Sequence, residues 1–316
     1  MATGREIQFH YDTVGAMHAL RMSDLHECAD YTCAFFDGKK LKDYSYVQAQ
    51  DDKHEWIFEN LGFGRDLKDR HVLDIGCGWG PILNAARKRG GYGLGLTLSP
   101  GQVAYCRERN LDARLRDYKS LKQGELGVFD GVVSLGAFEH FCSIDEMRIG
   151  KQEEVYKNFF KICADRLPAG GRLFLQTMTW GTKVPDYRKL SLKAPKDSPE
   201  AILARMEYLY PGSWPPNGLE QLVECASDQF EFVMHSNGRL DYIETLKGWD
   251  SATPNLWKPH NWPQTLRHGI PIAYNLLKSR DARIQMESIR RGDQGQCFER
   301  EIMSHERIFF QKKSIQ

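Results

Sequence analysis

Short apolar, β-rich runs recur along the chain at His71–Ile75, Gly93–Leu98, Ala113–Tyr118, Phe129–Leu135, Arg172–Met178, Phe230–His235 and Arg307–Gln311. Stretches with helical spacing separate them. Strand-helix alternation of this kind predicts an α/β fold, a mainly parallel, doubly wound sheet of seven strands covered on both faces. Upstream the period changes. Val14, Met17, Leu20 and Leu25 recur at near-helical spacing, and Trp56, Ile57 and Leu61 form a second stripe, so residues 8–60 read as mostly helical. The compact segment Tyr31–Phe36, ending at the turn signal Asp37-Gly38, interrupts them. The expected organisation is an N-terminal helical lid over 1–62 and a sheet domain over 63–316. A cap insertion after strand five spans about 180–222, where prolines 185, 195, 199, 211, 215 and 216 surround an amphipathic piece, Ala201–Tyr210. Trp249–Pro271 is a second interruption, and tryptophans 56, 180, 214, 249, 257 and 262 are all expected outside the strands. Long insertions between strands often cover a cleft.

Composition narrows the function. The 316 residues carry 43 Lys+Arg against 42 Asp+Glu, a net charge of +1. That balance argues against a nucleic-acid partner held by bulk charge. No apolar run approaches the roughly 20 residues of a membrane span. The first residues lack the apolar core of a secretory signal, so the cytoplasm is the expected compartment. The eight cysteines include no C-x-x-C and no zinc-finger spacing, which predicts reduced, buried thiols and no metal site.

The most informative stretch is Val72-Leu73-Asp74-Ile75-Gly76-Cys77-Gly78-Trp79-Gly80-Pro81. An apolar strand runs into three glycines, and a helix then begins at Pro81. Glycines allow a sharp turn and let a ligand approach the backbone. In open α/β sheets this is where ligands bind, at the carboxyl end of the first strand. The dinucleotide fingerprint G-x-G-x-x-G fails because Pro81 occupies its third glycine, and no P-loop is present. Asp74-x-Gly76-x-Gly78-x-Gly80 is instead similar to the pattern of S-adenosylmethionine methyltransferases. Asp117, at the end of the third strand, is placed to accept from an adenine amino group. The second strand ends without a carboxylate for ribose hydroxyls, so Thr97 and Gln102 are the candidates for those bonds.

These segments together resemble the cyclopropane-fatty-acid and mycolic-acid cyclopropane synthase family. The matches run in order from His10-Tyr11-Asp12 through Tyr31-Thr32-Cys33-Ala34-Phe35-Phe36, Leu73–Gly80, Gly95-Leu96-Thr97-Leu98-Ser99 and Val133–Phe141 to Tyr242-x-x-Thr245-Leu246. The resemblance implies a Rossmann-like class I methyltransferase fold with S-adenosylmethionine as cofactor. It places Tyr31, Thr32, Gly76, Gly78, Leu96, Thr97, Gln102, Tyr118 and Leu135 against that cofactor, with Asp74 and Asp117 beside them. It also implies a bound bicarbonate ion, with Cys33, Glu139 and Tyr242 in its surroundings. A histidine of that shell, on the fifth strand, is replaced here by Gln176, which can hydrogen-bond but cannot become cationic. Tyr210–Pro216 departs from the family's pattern near its lipid channel.

The expected reaction is methyl transfer to a hydrophobic acceptor, most directly to carbon of an unsaturated lipid or acyl chain. The alternative is C- or N-methylation of a small apolar metabolite, such as an isoprenoid or alkaloid-like compound. A cofactor-binding relative without catalysis stands as a third reading, against which Glu139 and Tyr242 speak. Cys33 has no activating histidine nearby in sequence, which favours packing over nucleophilic attack. His140 is expected to face away from the site, and Arg290-Arg291 with Asp293 to form a solvated face.

Overall fold

The computed structural model describes residues 27–314, together with Met17, Leu20 and Arg21. His10-Tyr11-Asp12, Val14 and Leu25 therefore lie outside the described residues. Seven strands form one sheet in the order β3-β2-β1-β4-β5-β7-β6. They are β1 (His71–Ile75), β2 (Tyr92–Thr97), β3 (Asp112–Leu115), β4 (Gly131–Leu135), β5 (Arg172–Trp180), β6 (Phe230–Asn237) and β7 (Met303–Lys312). The first five run parallel, and β7 inserts antiparallel between β5 and β6. The order reverses direction beside β1, so the carboxyl ends of β1 and β4 open the cleft where such sheets take ligands.

Helices cover both faces. Among them are α1 (Tyr46–Asn60), α2 (Pro81–Lys88), α3 (Pro100–Glu108), α4 (Ile144–Arg148), α5 (Gln152–Ala164), α6 (Pro199–Leu209) and α7 (Leu219–Ala226). Four more follow: α8 (Arg239–Ser251), α9 (Trp262–Lys278), α10 (Arg280–Arg291) and α11 (Asp293–Glu299). Their starts obey local chemistry. Pro81, Pro100 and Pro199 occupy first helical positions, Ser99 and Ser198 cap their helices, and Ser143 with Glu146 closes a capping box on α4. On one face Phe138, Tyr156, Phe159 and Phe160 pack against β4 and β5. On the other, Ile57, Phe58, Ile82, Phe174 and Phe309 form the second core.

Several expectations change. Residues 27–45 are not helical, and within 27–60 only α1 is. Its buried face carries Gln50, Lys53 and His54 beside Ile57, because these side chains satisfy the buried Asp30, a long-range need that an apolar-stripe reading does not register. Trp180 ends β5 rather than lying outside the strands, since its partner Met303 extends the pairing. Tyr118 begins a 3-10 turn, Tyr118–Ser120, after β3. Asp293 is not on a solvated face. It is fully buried, with both oxygens on the Arg205 guanidinium at 2.6 and 2.8 Å. The region 180–222 holds α6 and the start of α7, and 249–271 runs through two 3-10 turns into α9. Among the described residues no helix is long and apolar enough to cross a membrane.

Candidate active site

The glycine loop leaves β1 and is tied to β2, with the amides of Gly76 and Cys77 both donating to the Leu96 carbonyl at 2.9 and 3.0 Å. Gly76 has φ +88°, and a Cβ there would lie 2.3 Å from that of Ala137, so no other residue fits. Gly78, at φ +52°, differs. A Cβ would meet nothing closer than Gln102 Nε2 at 4.0 Å, so open space lies in front of it. Thr97 and Gln102 are buried at the end of β2 and the start of α3, bonded to each other through Oγ1 and Oε1 at 2.5 Å. Leu96 and Leu135 are buried where β2 and β4 end. Asp117 is exposed and accepts from the Lys119 amide at 2.9 Å, while the Tyr118 phenol is buried without a partner among the described residues.

Residues 29–34 lie across this cleft. Thr32 stands over Gly136, where a Cβ would come within 3.2 Å of Thr32 Cγ2 and 4.0 Å of Glu139 Oε1. Tyr31 packs edge-on against Trp249, with ring centroids 5.7 Å apart. Asp30 holds the segment in place, accepting from Lys53 Nζ at 2.7 Å, His54 Nε2 at 2.9 Å and the Thr32 amide at 2.9 Å. Burial would raise its pKa, but the Lys53 ammonium and the bonds from His54 and Lys53 outweigh this and hold the carboxyl well below its ordinary range. Among the described residues Asp74 has no such cation of its own. Burial, reinforced by the Asp30 charge, pushes it up to about 8, and its Oδ1 has no partner there. A buried carboxyl oxygen left unmatched beside a glycine loop suits the ammonium group that S-adenosylmethionine carries, a cation that favours the ionised form of Asp74.

Glu139 follows β4 on the 3-10 turn Phe138–His140 and is 3% exposed. Its Oε2 accepts from the Thr177 hydroxyl of β5 at 3.0 Å. No cation among the described residues contacts it, and burial pushes the carboxyl up to about 7. It lines a pocket that, counted together with the part open to solvent, holds about 520 Å³ of empty space. Met178, Trp180, Met206, Tyr210, Trp214 and Met303 supply most of the apolar wall. His140 lines the same pocket and bonds Ser213 Oγ at 2.8 Å, so it does not face away as its place in the sequence suggested. A one-turn 3-10 helix presents both neighbours toward the pocket.

Cys33, Gln176 and Tyr242 are brought together in one buried cluster with Met178, and none of the three lines the pocket. Gln176 Nε2 donates to the Cys33 carbonyl at 3.3 Å. Cys33 Sγ is 3.2 Å from Arg307 Nη2, and burial still raises the thiol to about 11, which removes it as a nucleophile. The Tyr242 hydroxyl accepts from Gln294 Nε2, which also reaches Met178 Sδ, and its ring lies on Phe298 with centroids 4.4 Å apart. Two residues that sequence reasoning passed over complete this cluster. Arg307 lies directly across the β5–β7 ladder from Gln176, and His305 across from Met178. Arg307 also donates to Asp241 at 2.8 Å. Gln176 Oε1, His305 Nδ1 and Arg307 Nε are all buried without partners among the described residues. No local pattern marked Arg307 and His305, because only the antiparallel register of β7 sets them beside β5.

Residues 2–260 match the family described as mycolic acid cyclopropane synthetase. The chain belongs to this family. Cyclopropane mycolic acid synthase 2 of Mycobacterium leprae (strain TN) is 30% identical over 266 residues, covering 78% of each chain. Hydroxymycolate synthase MmaA4 of Mycobacterium tuberculosis is 34% identical over 257 residues, covering 77% of this chain and 76% of that one. The crystal structure of mycolic acid cyclopropane synthase CmaA1 complexed with SAH and CTAB superposes with a TM-score of 0.70 over 98% of both chains, at 22% identity. The fold is accordingly that of the class I S-adenosylmethionine-dependent methyltransferases, and family membership makes the chain one of those enzymes.

Proposed function

We propose that the protein transfers a methyl group from S-adenosylmethionine to carbon of an unsaturated lipid or acyl chain. The observation that carries this reading is Glu139. A buried carboxyl poised near neutrality follows the carboxyl end of β4 and lines a largely apolar pocket. S-adenosylmethionine supplies an electrophilic methyl, so the chain's own work is orientation, exclusion of water and proton handling. Gly76 and Gly78 admit the cofactor, Asp74 answers its ammonium group, and Thr97 with Gln102 faces its ribose. Tyr31 and Thr32 close the opposite side. Asp117 and Tyr118 flank the adenine, between Leu96 and Leu135. Methylation of an alkene leaves positive charge on the acceptor, which the carboxylate of Glu139 stabilises before accepting the proton.

A bicarbonate ion would add a second proton acceptor. Its support is the guanidinium of Arg307, which stands opposite Gln176, pairs with Asp241 through Nη1 and keeps Nε unpartnered among the described residues, leaving one charge-assisted donor in the shell where the family's histidine is missing. Cys33 and Tyr242 would complete its surroundings. The eight free, buried cysteines support a reducing cytoplasmic setting. A small apolar acceptor is the second reading, favoured by the polar side chains of His140, Ser213 and Glu207 in the pocket. Incubation with methyl-labelled S-adenosylmethionine, with and without bicarbonate, separates the two. Label in unsaturated phospholipid or acyl-thioester is expected. Label only in isoprenoid or amine acceptors moves the assignment to the second reading, and no label in either defeats both.

A further inference from the structure

Helix α9 presents an apolar stripe to solvent. Trp262, Leu266, Ile270, Tyr274 and Leu277 are each more than half exposed, with Leu277 at 79%. Their spacing puts them on one arc of about 120° of the helix. The opposite face carries the buried Thr265, whose hydroxyl donates to the Leu256 carbonyl at 2.8 Å and seats the helix on the preceding turn. Trp257, in that turn, is 69% exposed, and its carbonyl accepts from Trp262 Nε1 at 2.8 Å. Two tryptophans and a tyrosine therefore belong to one exposed apolar surface. Monomeric proteins seldom leave such a continuous surface without a use.

Charge says what covers it. From Ser251 to Arg280 the sequence contains no aspartate or glutamate, while Lys258, Arg267, Lys278 and Arg280 all fall in this stretch. Arg267 and Lys278 follow the stripe along one edge by the same helical geometry. An apolar arc rich in Trp and Leu, flanked by cations and free of carboxylates, is the composition of a helix that lies in a bilayer interface. A basic rim of this kind is complementary to anionic headgroups. We propose that α9 docks the protein on an anionic lipid bilayer, with the stripe sunk into the headgroup region and the helix parallel to the surface. The placement serves the pocket. Helix α9 packs on α10, and Ser288 of α10 contacts Met206 Sδ of α6 at 3.9 Å, one of the pocket-lining residues. Docking at α9 thus sets the bilayer against α10, which packs on α6, the helix whose Leu203, Met206 and Glu207 line the acceptor pocket. Helix α9 itself, from Trp262 on, lies beyond the residues matched to the family, 2–260. The proposal does not depend on which acceptor the pocket takes.

Sedimentation of the full chain with vesicles tests it. Binding to phosphatidylcholine vesicles containing about 30% phosphatidylglycerol is expected, weakening as salt rises, with little binding to phosphatidylcholine alone. The double variant Leu266→Glu/Ile270→Glu alters only exposed side chains and is expected to bind at least about tenfold more weakly. Arg267→Gln and Lys278→Gln are each expected to cost about fivefold. Affinity for S-adenosylhomocysteine, measured by calorimetry, stays unchanged in all of these if the fold is intact, and that readout tests the methyltransferase reading separately. No binding to the anionic vesicles overturns the proposal, as does equal binding by the double variant. Sedimentation velocity covers the remaining occupant: a wild-type dimer that the double variant splits would assign the stripe to a second copy of the chain and overturn bilayer docking.

Discussion

Replacing Glu139 by Gln should make the protein more stable and nearly inactive, with the stability gain growing as pH rises. The carboxyl is buried, contacts no cation among the described residues, and has its pKa raised from 4.5 to about 7. The folded state therefore holds a proton that the unfolded state has released between those two values. Stability falls as pH rises through that window and stays low above it. Worked through linkage, the penalty is about 1 kcal/mol at pH 5 and about 3 kcal/mol at pH 8. Glutamine cannot ionise, and its amide oxygen can still accept the Thr177 hydroxyl bond of 3.0 Å. Glu139→Gln should thus gain up to about 3 kcal/mol at pH 8, which for a chain of 316 residues is roughly 4 °C in Tm. Turnover should fall by at least about 100-fold, the low end for losing a positioned acid-base group. Denaturant unfolding at pH 5 and pH 8, beside single-turnover methyl transfer, measures both. A stability difference that does not change with pH would refute the buried, unpaired carboxyl, and near-normal turnover would remove Glu139 from the chemistry.

Three further outcomes follow from the site. Gly78→Val should abolish S-adenosylmethionine binding, because its side chain enters the open space before the loop and a β-branched residue strains the backbone at φ +52°; unchanged affinity by calorimetry in a folded variant would place the cofactor elsewhere. S-adenosylhomocysteine should slow hydrogen exchange over residues 27–38, where Thr32 stands over Gly136 and Tyr31 packs on Trp249; the same protection with and without it would reject a closing lid. Gln176→His should alter the bicarbonate dependence of turnover while leaving cofactor affinity within about twofold, since residue 176 lies with Cys33 and Arg307; a large affinity loss would put it against the cofactor instead.

The strands, the glycine loop and the position of Glu139 were legible in the sequence, because each depends on the few residues around it. A buried strand needs a run of apolar residues, a loop with three left-handed turns needs glycines, and a helix start needs a proline or a capping serine. The cysteines could be read as buried thiols for the same reason, from composition and spacing alone. What a side chain meets across the fold had no such local mark. Arg307 reads as a charge in an apolar run until β7 enters the sheet antiparallel and sets it opposite Gln176. Asp293, beside two arginines, looks solvated until α6 brings Arg205 against it. Lys53 and His54 look like a solvent face until Asp30, from the segment before α1, is buried among them. His140 turns to the pocket because Ser213, far along the chain, bonds its ring. Periodicity reports which face of an element is buried. The partner of a buried polar group is fixed by register and packing between distant segments, and here those pairings set the charge of the site.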